Sequence, residues 1–141
     1  MSEVLKVLIV EDDVDLRTAL ESDVMELGFE VVSAGNGLEA LVVFRTTKID
    51  IILSDLNMPK MSGVTLLAEL RQLGYYHPFI VLSGYGTREE VIELIRGSAY
   101  NFLNKPVLFE DLKVALVAAS KYARLLSTAM GEARAKVDAA E

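Results

Sequence analysis

Residues 5–28 read LKVLIVEDDVDLRTALESDVMELG and contain the unit from which the whole fold is built. The apolar run Leu5–Val10, rich in β-branched residues, predicts a buried strand that stops at three consecutive acidic residues. From Val14 to Leu27 the apolar residues recur at helical spacing, and Gly28 follows as a stop signal. The unit is therefore a strand, an acidic turn and a helix.

The same alternation continues along the chain. Four further strands are predicted at Glu30–Ala34, Ile49–Ser54, Phe79–Leu82 and Tyr100–Leu103, with helices between them and a last helix from about Phe109. Strict alternation implies a parallel sheet with helices on both faces, and strands that are apolar on both sides fit a buried parallel sheet. The predicted fold class is α/β, a flavodoxin-like doubly wound (βα)5 domain with strand order 2-1-3-4-5.

Composition limits the chemistry that this chain can perform. Its 141 residues fit one domain, and the absence of cysteine excludes disulfides, thiolate catalysis and cysteine zinc sites. A single histidine, His77, excludes multi-histidine metal sites, and the net charge of −7 disfavours direct binding of nucleic acid. There is no apolar run of membrane-spanning length and no signal sequence at the N-terminus, so we expect a cytoplasmic protein.

Unusual polar residues follow four of the five predicted strands. Glu11 and Asp12 follow the first strand, Asp55 the third, Ser83 the fourth and Lys105 the fifth. Because all carboxyl ends of a doubly wound sheet lie on one edge, these side chains are predicted to converge on one site. Carboxylates packed so closely raise each other's pKa or recruit a cation, and Mg²⁺ is the natural hard cation for oxygen ligands.

Each of these polar residues also has a purely structural interpretation. Asp13 and Asp15 lie where a helix cap and the helix dipole favour acids, and we assign them to the helix start. Asp55 follows an apolar strand directly, where an unpaired charge would be costly to desolvate, so we assign it to the site. Phe102 is expected in or near the core, and His77 is expected to be inert.

Together these residues resemble the receiver domain of two-component response regulators, such as the chemotaxis regulators. The segment DLNMPKMSG, from Asp55 to Gly63, is similar to the family's Asp-x-x-Met-Pro-x-x-x-Gly. The segments SGYG from Ser83 and NFLNKP up to Pro106 resemble the loops after strands four and five. The resemblance covers residues 5–120, and several ordered motifs at compatible spacing make it specific.

The resemblance implies a phosphoryl acceptor and a magnesium site. Asp55 would take a phosphoryl group from a sensor histidine kinase, a phosphotransfer protein or a small phosphodonor. Asp12, Asp55 and the backbone carbonyl of Asn57 would bind Mg²⁺, with Glu11 helping through a water molecule. No organic cofactor is implied. The chain would be a phosphoacceptor switch that assists its own phosphorylation and dephosphorylation, rather than an enzyme with a metabolic substrate.

The resemblance also implies how the switch would respond. Lys105 would pair with Asp55 at rest and with a phosphoryl oxygen afterwards, and the Lys105–Pro106 peptide bond would be cis. Ser83 would hydrogen-bond the phosphoryl group, while Phe102 would rotate inward as the loop closes. One departure concerns the end of the fourth helix, where the family often has Gly-Ala and this chain has Ser98 followed by alanine.

Three rival functions fit these residues less well than a receiver does. A dehalogenase-type phosphatase needs a general acid two positions after its nucleophile, and Asn57 cannot serve as one. A flavin carrier needs a phosphate-binding loop after the first strand, where this chain has three acidic residues. An interaction module that works without phosphorylation is disfavoured by the intact set of acids, serine and lysine.

The C-terminal segment continues the helical pattern past the expected end of a receiver. We predict a receiver domain over residues 1–121 and a helical extension over 122–141. A heptad-like seam comprises Leu112, Leu116, Ala119, Ala123, Leu126, Met130, Ala133 and Val137. Two interpretations stay open: the first half of the helix packs on the sheet and its end frays, or the helix forms a homodimer or leads to an output domain. Neither the downstream partner nor the pathway can be read from the sequence.

Overall fold

The computed structural model describes residues 4–84 and 88–140. Within these residues five strands alternate with five helices. The strands are β1 (Lys6–Val10), β2 (Glu30–Ala34), β3 (Ile51–Asp55), β4 (Phe79–Ser83) and β5 (Asn101–Asn104). The helices are α1 (Val14–Glu26), α2 (Gly37–Thr46), α3 (Gly63–Gln72), α4 (Arg88–Arg96) and α5 (Phe109–Ala140). Among the helices of these residues, none is both long enough and apolar enough to cross a membrane.

The sheet is parallel with the order β2-β1-β3-β4-β5, which confirms the predicted fold class. Its register aligns the carboxyl ends of the strands. Val10 pairs with Ser54, Asp55 pairs with Leu82, and Ser83 lies beside the last residue of β5. The ends of β1, β3, β4 and β5 therefore meet along one edge, as the sequence predicts.

Two apolar cores cover the two faces of the sheet. Along β1, Val7 and Ile9 enter the core under α1 and α5, while Leu8 and Val10 enter the core under α2, α3 and α4. This alternation follows from the period of two residues in a strand. Since both faces are covered, both sets of strand residues are apolar, and the sheet is buried on either side.

Three helices end in the same way, with a residue of positive φ just after the helix. The residues are Gly28 (φ 97°), Gly74 (φ 85°) and Ser98 (φ 64°) after α1, α3 and α4. In each case the N–H of this residue donates to the third residue before it, and the next N–H donates to the fifth residue before it. Such a turn favours glycine, because the left-handed conformation is unfavourable for residues with a Cβ.

At the end of α4 the residue with positive φ is a serine, and a glycine lies just before it. Gly97 precedes it, and a Cβ on Gly97 would lie 2.9 Å from Cδ2 of Leu67 on α3. The close approach of α3 therefore requires glycine at position 97. The residue that adopts the left-handed conformation is the next one, Ser98. The departure from the family pattern places the turn on a strained serine and leaves the helix end in place.

α5 runs without a break through the predicted domain boundary at residues 121 and 122. The first four positions of the predicted seam, from Leu112 to Ala123, are buried in the core under α1 and α5. The first half of the seam therefore packs on the sheet. Leu126 is half-buried, and the side chains of Met130, Ala133 and Val137 lie outside the described part of the chain. The division into two segments stays a prediction.

We expect Ser98→Gly to raise the free energy of unfolding by about 1 kcal/mol, because glycine adopts positive φ without the Cβ clash. Gly97→Ala should lower it, since the added Cβ meets Leu67. Urea denaturation measures both changes. Gly28→Ser is the matched control: it puts a serine at positive φ where nothing lies within 4 Å of the Cβ, and should also be destabilising. A destabilising Ser98→Gly would contradict this account.

Candidate functional site

Three carboxylates meet at the edge where β1 and β3 end. Glu11 follows β1 and Asp55 ends β3, and both are buried, whereas Asp12 is exposed. One carboxylate oxygen from each residue can be chosen so that all three lie within 4.8 Å of one another. The structure thus brings together the three acids that the sequence assigns to one site.

The ammonium of Lys105 joins two of these carboxylates. Its Nζ lies 2.9 Å from Oε1 of Glu11 and 3.0 Å from Oδ1 of Asp55. The resemblance implies the pairing with Asp55, and the pairing with Glu11 comes from the structure alone. The Lys105–Pro106 peptide bond is cis, in agreement with the resemblance.

Backbone donors hold the two buried carboxylates in place. The N–H of Leu56 donates to Oδ1 of Asp55 at 2.8 Å, and the N–H of Asp12 donates to Oε2 of Glu11 at 3.1 Å. These hydrogen bonds come from the residue that follows each acid, so the turn of the chain after the strand orients the carboxylate. A buried charge needs such partners, because desolvation alone would make it very unfavourable.

The electrostatics of the site are set by burial and crowding. Burial raises the pKa of Glu11 to about 7; the hydrogen bond from Lys105 opposes this rise, and the neighbouring Asp55 adds to it. Burial alone would lower the pKa of Lys105, but its hydrogen bonds to Glu11 and Asp55 reverse that effect and raise it. One ammonium therefore does not neutralise three acids, and a cluster of hard oxygen ligands with surplus negative charge fits a divalent cation.

The other predicted site residues surround this cluster. Ser83 ends β4 one residue beyond Leu82, the partner of Asp55, and its carbonyl accepts the N–H of Lys105 at 3.0 Å. Asn57 is exposed and, with Gly84 and others, lines a cleft of about 740 Å³ that opens beside Asp55 and Lys105. The site therefore has room for a small group next to the Asp55 carboxylate.

Phe102 lies on the edge strand rather than in the core. It pairs with Val81 of β4 and keeps 37% of its surface exposed. Val81 belongs to the core under α2, α3 and α4, so Phe102 lies on that same side of the sheet. Of the loop after β4, Tyr85 and Gly86 lie outside the described residues.

Asp13 and Asp15 lie at the start of α1, as the sequence predicts, and His77 lies far from the three acids. Asp13 is the N-cap of α1, with its carboxylate accepting the N–H of Leu16 at 3.1 Å, and Asp15 lies in the first turn. His77 lies before β4, at the opposite edge of the sheet from the acids, and its ring contacts those of Phe44 and Tyr75. Burial lowers the pKa of His77, which favours the neutral form at pH 7.

Sequence reasoning missed two residues that shape the site. Arg17 donates from its guanidinium to the carbonyl of Glu11 at 2.8 Å. Gly63 must be glycine, because a Cβ there would lie 2.5 Å from the carbonyl oxygen of Asp55. The signal for Arg17 was a cation in the first turns of a helix, where the helix dipole disfavours it. For Gly63 the motif marked the position, but only the coordinates show the close approach.

Comparisons with known proteins agree on one family. Residues 7–117 match the family described as the response regulator receiver domain. Among curated relatives, the transcriptional regulatory protein ZraR of Klebsiella oxytoca is 29% identical over 92% of this chain and 29% of that protein. The regulatory protein AtoC of Escherichia coli is 32% identical over 81% of this chain and 25% of that protein. The chain thus spans well under half the length of these relatives.

Solved structures that are similar to this chain are also response regulators. The chemotaxis protein CheY4 of Vibrio cholerae superimposes with a TM-score of 0.77 and 31% identity, over 83% of this chain and 99% of that chain. A response regulator receiver domain protein from Clostridium thermocellum gives a TM-score of 0.81 and 29% identity, over 87% and 99% of the two chains.

The raised pKa of Glu11 predicts how stability depends on pH when no cation is bound. Because the pKa rises from 4.5 to about 7 on folding, the folded state favours the protonated acid. Protonated Glu11 makes its full contribution to the free energy of unfolding below about pH 4.5, and this contribution is lost as the pH rises through about 7. Urea denaturation in EDTA should show wild type losing about 2 kcal/mol relative to Glu11→Gln between pH 5 and pH 8. Parallel pH curves for the two proteins would contradict this interpretation.

Proposed function

The chain belongs to the response regulator receiver domain family, whose role is that of a phosphoacceptor in two-component signalling, and we propose that Asp55 is its phosphoacceptor. The observation that carries this proposal is the position of the Asp55 carboxylate. It lies 3.0 Å from an ammonium, close to two other acids, and beside an open cleft. The donor would be a sensor histidine kinase, a phosphotransfer protein or a small phosphodonor.

Asp55 acts as the nucleophile in this scheme. A carboxylate oxygen attacks the phosphorus of the donor, a new oxygen–phosphorus bond forms, and the bond from phosphorus to the donor's nitrogen or oxygen breaks. The product is an acyl phosphate that carries about one more negative charge than the free carboxylate. Lys105 already lies at hydrogen-bond distance from Asp55, so its ammonium is placed to pair with a phosphoryl oxygen afterwards.

The acids of the site support a resident Mg²⁺. We assign it to Asp12, Asp55 and the backbone carbonyl of Asn57, with Glu11 acting through a water molecule. When bound, the ion offsets the negative charge that spreads over the transferring phosphoryl oxygens. The geometry of the cluster supports this assignment, because three carboxylates lie close together and the ammonium of Lys105 contacts only two of them.

Ser83 and Phe102 form the proposed response. Ser83 lies one residue past the partner of Asp55, from which its hydroxyl would donate to a phosphoryl oxygen. The hydrogen bond from the N–H of Lys105 to the carbonyl of Ser83 ties the ends of β4 and β5 together. Movement of Ser83 would therefore be transmitted to β5. The ring of Phe102 on β5 is partly exposed, so it can change its packing without disrupting the core. New charge at one acid would then bias a two-state element made of α4, β5 and α5.

The chain acts as a switch that assists its own phosphorylation and dephosphorylation, and it has no independent metabolic substrate. Its readout would be a downstream protein or an output domain rather than direct contact with nucleic acid. We place it in the cytoplasm, where a histidine kinase presents its phosphoryl group.

The direct test is intact mass after incubation with acetyl phosphate and Mg²⁺. We expect wild type to gain one phosphoryl group and Asp55→Ala to gain none, because the nucleophile is removed. Asp13→Asn is the matched control: it changes a neighbouring acid that caps α1 and should still be phosphorylated. EDTA should suppress the gain in wild type.

Two results would reject the proposal. Equal gain in wild type and Asp55→Ala would mean that another residue is the acceptor. No gain from acetyl phosphate or from any of a panel of histidine kinases would identify the chain as an interaction module that works without phosphorylation.

A further inference from the structure

Arg17 on α1 directs its guanidinium at the backbone of the acid cluster. Its Nη1 donates to the backbone carbonyl of Glu11 at 2.8 Å, and its Nε lies 3.9 Å from Oε1 of Glu21, one turn further along α1. A Cβ on Gly35 would lie 3.5 Å from the same Nη1, so the guanidinium lies against the turn that follows β2. The Arg17 side chain is 24% exposed, which means that it is largely held between α1 and this turn.

The carbonyl of Glu11 receives this hydrogen bond because it lies beyond the end of a strand pair. The N–H of Glu11 donates to the carbonyl of Ala34, the last residue of β2, at 3.1 Å. After Ala34 the chain leaves the sheet, and Asn36 is already the N-cap of α2. Arg17 therefore supplies a donor at the point where β2 has ended, in keeping with the need of backbone carbonyls for a partner.

The peptide bond between Glu11 and Asp12 is held from both of its sides. Its carbonyl accepts from Arg17 at 2.8 Å, and its N–H, which belongs to Asp12, donates to Oε2 of Glu11 at 3.1 Å. The carbonyl and the N–H of a planar trans peptide point in opposite directions, so the two hydrogen bonds fix the orientation of the peptide plane. A cation at the carbonyl also polarises the peptide, which makes the N–H a better donor to the carboxylate.

The carboxylate of Glu11 connects this peptide to the rest of the site. Its other oxygen, Oε1, lies 2.9 Å from Nζ of Lys105, and the same Nζ lies 3.0 Å from Oδ1 of Asp55. A continuous series of polar contacts therefore runs from Arg17 to Asp55. Asp12, the residue that follows the fixed peptide bond, has a carboxylate oxygen within 4.8 Å of one on Glu11 and one on Asp55.

We propose that Arg17 is a positioning residue for the magnesium site: by holding the peptide bond between Glu11 and Asp12, it places both carboxylates where they serve the ion. The inference rests on the proposed function, in which Asp12 binds Mg²⁺ and Glu11 acts through a water molecule. Groups that orient metal ligands from behind typically change metal affinity about 10–100-fold when they are removed.

Charge and position predict opposite effects of removing Arg17. A cation near a cation site repels the ion, so charge alone predicts that Arg17→Gln binds Mg²⁺ more tightly than wild type. Positioning predicts that Arg17→Gln binds Mg²⁺ more weakly. Arg17→Lys keeps the charge and can donate one hydrogen bond, so positioning places its affinity between those of wild type and Arg17→Gln.

Isothermal titration calorimetry of the full chain with MgCl2 measures these affinities. Arg17→Gln should raise the Kd for Mg²⁺ about tenfold, and Arg17→Lys should raise it less. Arg45→Gln is the matched control: it removes the same charge from an exposed position in the last turn of α2 and should leave the Kd unchanged. Circular dichroism checks that each variant is folded.

A second measurement follows the peptide bond itself, in EDTA and without any metal. In ¹H–¹⁵N spectra the amide proton of Asp12 should move upfield in Arg17→Gln, because the polarising cation is lost. The amide of Leu56, which donates to Oδ1 of Asp55, should keep its position. If Arg17→Gln does not fold, Arg17→Lys decides: a raised Kd with a shifted Asp12 amide supports the proposal, and wild-type values for both overturn it.

The outcomes separate this inference from the proposed function. Tighter or unchanged Mg²⁺ binding by Arg17→Gln, or an Asp12 amide that does not move, would overturn the role of Arg17 and leave the magnesium site standing. A wild type that binds no Mg²⁺ would reject the magnesium site, and the role of Arg17 with it.

Discussion

The ammonium of Lys105 lies between two buried carboxylates, those of Glu11 and Asp55, and the organisation of the sheet edge follows from that contact. These residues are up to 94 positions apart in sequence, and only a parallel sheet with aligned carboxyl ends brings them together. Without the ammonium, two acids would be buried with no counter-charge, which is strongly unfavourable. Because three carboxylates lie around one ammonium, the cluster keeps a surplus of negative charge, and this surplus favours the binding of a cation.

Glycines near the site and at the end of α4 are explained by close approach of other atoms. Because Gly63 has no side chain, the start of α3 packs directly against the backbone carbonyl of Asp55. Gly97 lets α4 pack closely against Leu67 of α3, and the next residue, Ser98, has positive φ. At both glycines a side chain is excluded because atoms of a neighbouring element occupy the space that a Cβ would need.

α5 has two apolar sides with different consequences. One side completes the core of the sheet and ends at Ala123, although the helix continues to Ala140. The other side carries the exposed side chains of Val114, Val117 and Leu125. The seam read from the sequence follows the buried side, because it begins with Leu112, Leu116, Ala119 and Ala123 and does not include the exposed valines or Leu125.

The sequence by itself predicted the fold class, the strand order and the five polar residues that follow four of the strands, because strand and helix periods differ and the carboxyl ends of parallel strands share one edge. It did not determine which residue on the apolar side of α4 is buried: Leu94 is buried, whereas Val91, Ile92 and Ile95 are exposed. Nor did it show that Lys105 binds Glu11 or that Arg17 holds the Glu11 carbonyl. Those contacts depend on distances between elements far apart in the chain, which only the packed tertiary structure decides.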